Sequence, residues 1–382
     1  MRVVKLYIKR TISILLLFAL PLMYNIWTQF RFDHDTQRIE AFYLEEPNSI
    51  DVVLLGGSDL YTGYSPGYAY GKYKYTSYCY SIALNPIELY ITQLKEIYST
   101  QTPKMVLIEL SLALGDKEAD DGLNTTTHRY IDAIPDSNNR DSLIDGFSSI
   151  EDRLSCYFPF IMYHGVDKMW QTNMDRNNFV QSHRNDLKGI RIGVADFVWD
   201  DNYKTVLGDN TKVRPTQEIL DRINSLINYC EKEKIPAVFT RFPHRITQGK
   251  YLRYQYGNYV KEMIQNRGYD FIDFEATVEL DYDYTADFTD GEHLNGVGQR
   301  KLTERLGEIV SERYNINKSV LSAEGKENWE KSSEYTDAFY EYYDDVRKTP
   351  NEELKRTYGE KSFWENKELT DILDKLYYKK TR

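Results

Sequence analysis

The chain has 382 residues, of which 41% are hydrophobic and 28% charged, a balance that predicts one large or two ordinary folded domains and excludes a disordered chain. A formal net charge of -11 excludes a general nucleic-acid binder, which needs a basic surface to neutralise phosphates. Three scattered cysteines, Cys79, Cys156 and Cys230, leave one over from any pair and lack metal-ligand spacing, which excludes a disulfide framework.

The first element is N-terminal. Arg2, Lys5, Lys9 and Arg10 precede an apolar run from Thr11 to Trp27 that ends in Tyr24 and Trp27, aromatics suited to a membrane interface. The run is at the short end of the ~17–25 residues that span a bilayer. "LPLMYNIWTQF" offers no small-x-small cleavage site, so residues 1–30 read as an uncleaved single-pass anchor rather than a signal peptide. The basic flank then stays in the cytoplasm, and residues 31–382 lie outside at the cell membrane. The low cysteine count suits a Gram-positive surface.

Compact apolar runs predict strands at 50–55, 76–82, 104–110, 236–242 and 270–274. Between them, helical spacing predicts helices over 86–99, with Pro86 at its start, over 216–234, near 252–267, and over 297–314. The helix at 216–234 carries Ile219, Leu220, Ile223, Leu226, Ile227 and Cys230 on one face. Strands alternating with helices predict an α/β fold, a mostly parallel sheet flanked by helices in three layers. The alternation breaks between 111 and 215, which predicts a large insertion at the carboxyl edge of the sheet, where α/β folds place binding loops. The domain proper ends near 317. Residues 318–382 are charged, contain "YTDAFYEYYDD", and read as a helical C-terminal appendage, packed outside or binding a partner. The 33 tyrosines suit sugar stacking and core packing equally.

Two stretches carry chemistry. "LLGGSDLYTG" ends the first strand on Gly56-Gly57 and puts Ser58 next. "DFTDGEHLNGVGQRKL" places Asp290 and His293 three residues apart just before the last helix of the alternation. A serine hydroxyl needs a base to take its proton, and the base needs a group that fixes its tautomer. Loops after the first strand and before the last helix can meet at the carboxyl edge of a parallel sheet. Three further residues are candidates for substrate binding: His164 in "YHG", His244 beyond the fourth strand, and Arg241, which could hold an anionic polymer. Each has a structural alternative, as a satisfied histidine or a salt bridge. No histidine pair has ligand spacing, so no metal is expected. "GGSD" is not a phosphate loop, and no cofactor is expected.

From about 50 to 314, on "LLGGSDL" and "DFTDGEHLNGVG", the chain resembles the SGNH (GDSL-like) hydrolases. It looks most similar to their membrane-anchored extracytoplasmic branch, which includes the teichoic-acid D-alanine transfer protein and the alginate and peptidoglycan O-acetyltransferases. The resemblance implies a flavodoxin-like three-layer fold with Ser58 as nucleophile, His293 as base and Asp290 as its orienting partner. It also implies work beside a membrane-bound O-acyltransferase. The family's oxyanion donors are the nucleophile's own N–H, a glycine that falls at Ser81 in "YCYSIALNP", and an asparagine missing from "IELSLALGD". Asn85 and Asn124 are distant substitutes for the last.

Two functions therefore compete. One is an extracytoplasmic serine esterase or O-acyltransferase that modifies cell-envelope polysaccharide or teichoic acid through an acyl-serine intermediate. The alternative is a non-catalytic accessory protein of the same fold that binds glycan or an acyltransferase partner.

Overall fold

The computed structural model describes residues 2–28, 34–115, 125–163, 187–192, 206, 208–275, 280, 282–283 and 286–348. In chain order the helices are α1 (Arg2–Thr28), α2 (His34–Phe42), α3 (Ser58–Gly63), α4 (Pro66–Tyr73), α5 (Tyr90–Thr100), α6 (Thr125–Ala133), α7 (Asn138–Asp145), α8 (Ile150–Tyr157), α9 (Phe160–Tyr163), α10 (Gln217–Glu233), α11 (Tyr251–Asn266), α12 (Gly296–Glu308) and α13 (Ala323–Lys348). The strands are β1 (Val52–Gly56), β2 (Ser77–Ser81), β3 (Met105–Glu109), β4 (Ala237–Arg241) and β5 (Phe271–Asp273). The chain divides into two compact units, Met1–Glu40 with Glu118–His183, and Ala41–Lys117 with Arg184–Arg382.

The second unit holds the sheet. All five strands are parallel, in the order β2-β1-β3-β4-β5. Every residue of β1, β2, β3 and β4 is buried, as expected for strands covered on both faces. The chain is thus an α/β protein with the parallel, helix-flanked sheet that its alternating pattern predicts. The order reverses between β1 and β3, and the crevice outside the carboxyl ends of strands at such a switch point is where open α/β sheets bind ligands.

Local chemistry sets the helix ends. The hydroxyl of Thr216 caps α10 by accepting from Ile219 N, and the six apolar residues of its predicted face are buried. The α12 helix starts at Asn295, whose Oδ1 accepts from Val297 N at 2.9 Å and Gly298 N at 3.2 Å. Its Leu302 and Leu306 then enter the core.

The described part of the expected appendage, α13, joins that core. Phe339, Tyr340 and Tyr343 of α13 belong to the apolar cluster that also contains Val52, Leu54 and Leu302. Gln299 ties the parts together. Its amide donates to the carbonyls of Arg191, Tyr61 and Tyr64, and its Oε1 accepts from Tyr340 Oη at 2.7 Å. Tyrosine serves the interior here: Tyr64, Tyr75, Tyr78, Tyr80 and Tyr90 are all buried.

In the first unit, α6 to α9 lie within the segment that lacks clear periodicity in sequence. They are four to nine residues long, too short to repeat an apolar face. Buried polar groups join them. His128 lies between Asp132, at 3.0 Å, and the Ser155 carbonyl, at 3.0 Å, and Arg140 donates to the carbonyls of Ile131 and Cys156. The α1 helix is continuous from Arg2 to Thr28, with four basic residues in its first third and Pro21 inside it. Among the described residues no helix is long and apolar enough to cross a membrane.

Candidate active site

The two glycines before Ser58 answer to crowding. A Cβ on Gly56 would lie 2.8 Å from Glu109 Cβ, and one on Gly57 would lie 2.2 Å from Leu112 Cδ1. Without side chains, the end of β1 approaches the segment after β3 and turns at once into α3. Ser58 is the first residue of that helix, half-buried at the carboxyl end of the sheet's switch-point strand.

The partner loop is pinned independently. Phe288 and Leu294, both buried, form an isolated antiparallel bridge, and Thr289 N donates to His293 O at 2.8 Å. Inside this loop Asp290 Oδ1 accepts from Glu292 N at 2.7 Å and His293 N at 2.9 Å. The Gly291 carbonyl accepts from Arg245 N and Lys250 Nζ, which anchors the loop to the segment between β4 and α11.

Ser58, Asp290 and His293 converge. His293 Nε2 is 2.8 Å from Ser58 Oγ, and its Nδ1 is 2.7 Å from Asp290 Oδ2. Burial alone would lower the His293 pKa, but the hydrogen bond to Asp290 and the charges of Asp290, Asp59 and Glu292 outweigh it and hold it above the ordinary value. Burial alone would raise the Asp290 pKa, but the bond to His293, the charge of that ring and two backbone N–H groups hold it below. This arrangement suits Asp290 to stay ionised and His293 to accept a proton from Ser58. This is the hydroxyl–imidazole–carboxylate arrangement that activates a serine.

The other candidates need correction or fall elsewhere. Arg241 does not face an anionic polymer. It is fully buried, paired with Asp273 at 2.6 Å and donating to Tyr254 O and Asn258 Oδ1. A strand-end arginine looks like a ligand-binding group in sequence because its internal carboxylate lies 32 residues away. His244 is also fully buried and cannot touch substrate directly. Its Nδ1 is 2.9 Å from Glu275 Oε1 and its Nε2 is 3.2 Å from Asp59 Oδ2. Asn85 is not an oxyanion donor in this arrangement. It is buried, and its amide donates to Gly56 O at 2.9 Å and Gln93 Oε1 at 3.0 Å, so both hydrogens are engaged. Ser81 ends β2 opposite Gly56, fully buried. The Ser58 N–H sits in the first turn of α3, where no intrahelical acceptor precedes it. His164 and Asn124 lie outside the described residues.

Sequence reasoning misses Asp59, Glu275, Glu292 and Glu109, which surround the site. The available signal is position: Asp59 directly follows Ser58, and Glu275 and Glu109 follow or end strands at the carboxyl edge. Burial lowers the His244 pKa, but the ion pair with Asp59 and the charge and hydrogen bond of Glu275 more than reverse this and push it up to about 10. Glu109 is pushed up to about 7 by burial and by the neighbouring Asp59.

Asp59, His244 and Glu292 bring ligand-type atoms within 4.8 Å of one another. A metal needs the lone pair of a neutral imidazole. His244 instead has a carboxylate at each nitrogen and retains its proton, while Glu292 is paired with Lys250 and Arg253. The group is an ion-pair cluster by its chemistry. No family model matches the chain, and no curated protein matches it.

Proposed function

We propose that the chain is a serine esterase or O-acyltransferase that acts outside the cytoplasmic membrane on cell-envelope polysaccharide or teichoic acid. The observation that supports catalysis is the unbroken chain Ser58 Oγ–His293 Nε2, 2.8 Å, and His293 Nδ1–Asp290 Oδ2, 2.7 Å. Ser58 Oγ attacks the acyl carbonyl as His293 Nε2 takes its proton. The tetrahedral intermediate expels the donor's oxygen, which leaves with the proton from His293. The acyl-serine then passes its acyl group to an acceptor hydroxyl, or to water, activated by the same imidazole. Asp290 keeps the proton-bearing Nδ1 in place throughout. The substrate class, a tether at α1 and a membrane-bound O-acyltransferase partner rest on the sequence resemblance and on the basic-then-apolar N-terminus. A reporter fused after Arg382 that works only in the cytoplasm removes the extracytoplasmic part of the reading.

The engaged amide of Asn85 favours a second reading, an accessory protein that keeps the fold and binds glycan or an acyltransferase. An oxyanion donor is worth a few kcal/mol in the transition state, so a site short of one is slow. Fluorophosphonate labelling decides between them. Wild-type protein labelled at Ser58, with Ser58→Ala unlabelled, supports the enzyme. Folded protein that resists probes of several sizes supports the accessory role.

A further inference from the structure

Behind the nucleophile runs a chain of charges that acyl transfer does not use. It starts next to Ser58. Asp59 Oδ2 meets His244 Nε2 at 3.2 Å, and His244 Nδ1 meets Glu275 Oε1 at 2.9 Å. Glu275 Oε2 then meets Arg241 Nη1 at 3.4 Å, and Arg241 closes on Asp273 at 2.6 Å. Asp59, His244, Glu275 and Arg241 are all buried. Buried charges persist only when paired, so each member depends on the next.

We propose that Asp59 and His244 form a second relay beside the catalytic one. Asp59 is a positioning residue that presents a fixed negative charge to His293, and His244 is the permanent cation that keeps that charge in place. The inference rests on the reading of Ser58 as nucleophile and His293 as base.

The surroundings of each group define the electrostatics. His293 is bonded to Asp290 from its own loop and to Ser58 from α3, whose next residue is Asp59, and it feels the charges of Asp59 and Glu292. Asp59 pairs with His244 from the segment after β4 and feels the charges of His293 and of Arg253 from α11, while its own charge acts on Glu109 of β3. His244 faces Asp59, Glu275 beyond β5, and Glu292 at 3.8 Å. Burial alone would protonate Asp59; the imidazolium of His244, with smaller help from His293 and Arg253, holds its pKa down instead. An anion at Asp59 favours the protonated form of His293 and so strengthens it as a base. Glu109 supplies no competing anion below about pH 7, because burial and Asp59 keep it protonated there. Since Asp59 is bonded in sequence to Ser58, its charge is fixed relative to the nucleophile.

A ¹³C NMR titration of the imidazoles in the full chain, with its six histidines assigned by single substitutions, reads this without requiring turnover. In the wild type, His244 is expected to keep its proton while His293 loses its own. Asp59→Asn should lower the His293 midpoint by about one pH unit. His244→Gln should lower it too, because Asp59 then takes up a proton, and the double variant should go no lower than Asp59→Asn. A His293 midpoint unmoved by Asp59→Asn overturns the proposal. So does a wild-type His244 that deprotonates before His293, a result that holds even if a variant fails to fold. Fluorophosphonate labelling of the same samples separates the two readings. A moved midpoint in unlabelled protein removes the acyl-transfer reading and, with it, any part for Asp59 in catalysis, and leaves only its electrostatic coupling to His293. Labelling with an unmoved midpoint removes the relay alone.

Discussion

His293 meets Ser58 and His244 meets the next residue, Asp59, and each ring is bonded to a carboxylate through Nδ1. The side chain of His293 is 26% exposed, and its Nε2 meets a hydroxyl. The side chain of His244 is fully buried, and its Nε2 meets a second carboxylate. That one exchange of partner separates their chemistry. A ring between a carboxylate and a hydroxyl can accept the hydroxyl's proton and return it. A ring between two carboxylates is stable only as imidazolium, so it carries charge and moves no proton. Two residues of one type, held by similar bonds, are thus suited to act as a base and as a fixed cation.

The comparison breaks most completely at the nucleophile: Ser58→Ala should abolish probe labelling while His244 keeps its proton. Asp290→Asn should leave the fold intact, since an amide oxygen can still accept from Glu292 N and His293 N, yet lower the labelling rate roughly 10²–10⁴-fold. The matching change on the buried side should act on stability instead. Arg241→Met leaves Asp273 with Lys261 and Glu275 with His244 but removes the buried cation between them, and should cost about 3–5 kcal/mol in urea unfolding. Labelling per folded molecule should change by less than about tenfold, since Arg241 does not touch the reacting atoms.

Smaller effects appear with pH. Labelling should rise with pH through a midpoint above 6.5, because His293 must shed its proton to act as base and its pKa is raised. Thermal stability should run the other way. The folded state holds the His244 proton more tightly than the unfolded chain does, so its contribution is full below about pH 6.5 and is lost as pH rises toward about 10. Melting curves at several pH values check this, and His244→Gln should flatten the slope. Glu109→Gln should give the smallest change. Its carboxyl stays protonated to about pH 7 when folded and only to about 4.5 when unfolded, so ionisation costs stability as pH rises through that window. The amide should therefore match wild type below pH 4.5 and be the more stable of the two above pH 7.

Strands and long helices are legible in this sequence because burial on two faces leaves an unbroken apolar run, as in β1, and burial on one face leaves a periodic one, as in α10. The α3 and α4 helices are not. They span six and eight residues and contain Gly63, Gly67 and Gly71, so neither period nor propensity marks them. The convergence of the candidate set is legible because Ser58 and the Asp290–His293 pair fall where a parallel sheet brings loops together. Their surroundings are not. Arg241 and His244 look available to solvent in sequence, because the carboxylates that claim them, Asp273, Glu275 and Asp59, come from other elements. The loss of Asn85 as an oxyanion donor is hidden for the same reason: its acceptors are Gly56 O and a glutamine side chain.

The bonds of Gln299 bear on how the protein is made. A ribosome delivers the strand carrying Ser58 early, but the contact from Tyr340 to Gln299, and through Gln299 to the Tyr61 and Tyr64 carbonyls, must wait for α13 to emerge. Until then α3 has an open flank. Cutting the gene near residue 317, where the strand-helix alternation stops, would make that temporary exposure permanent, and a fragment designed at that boundary should emerge as aggregate.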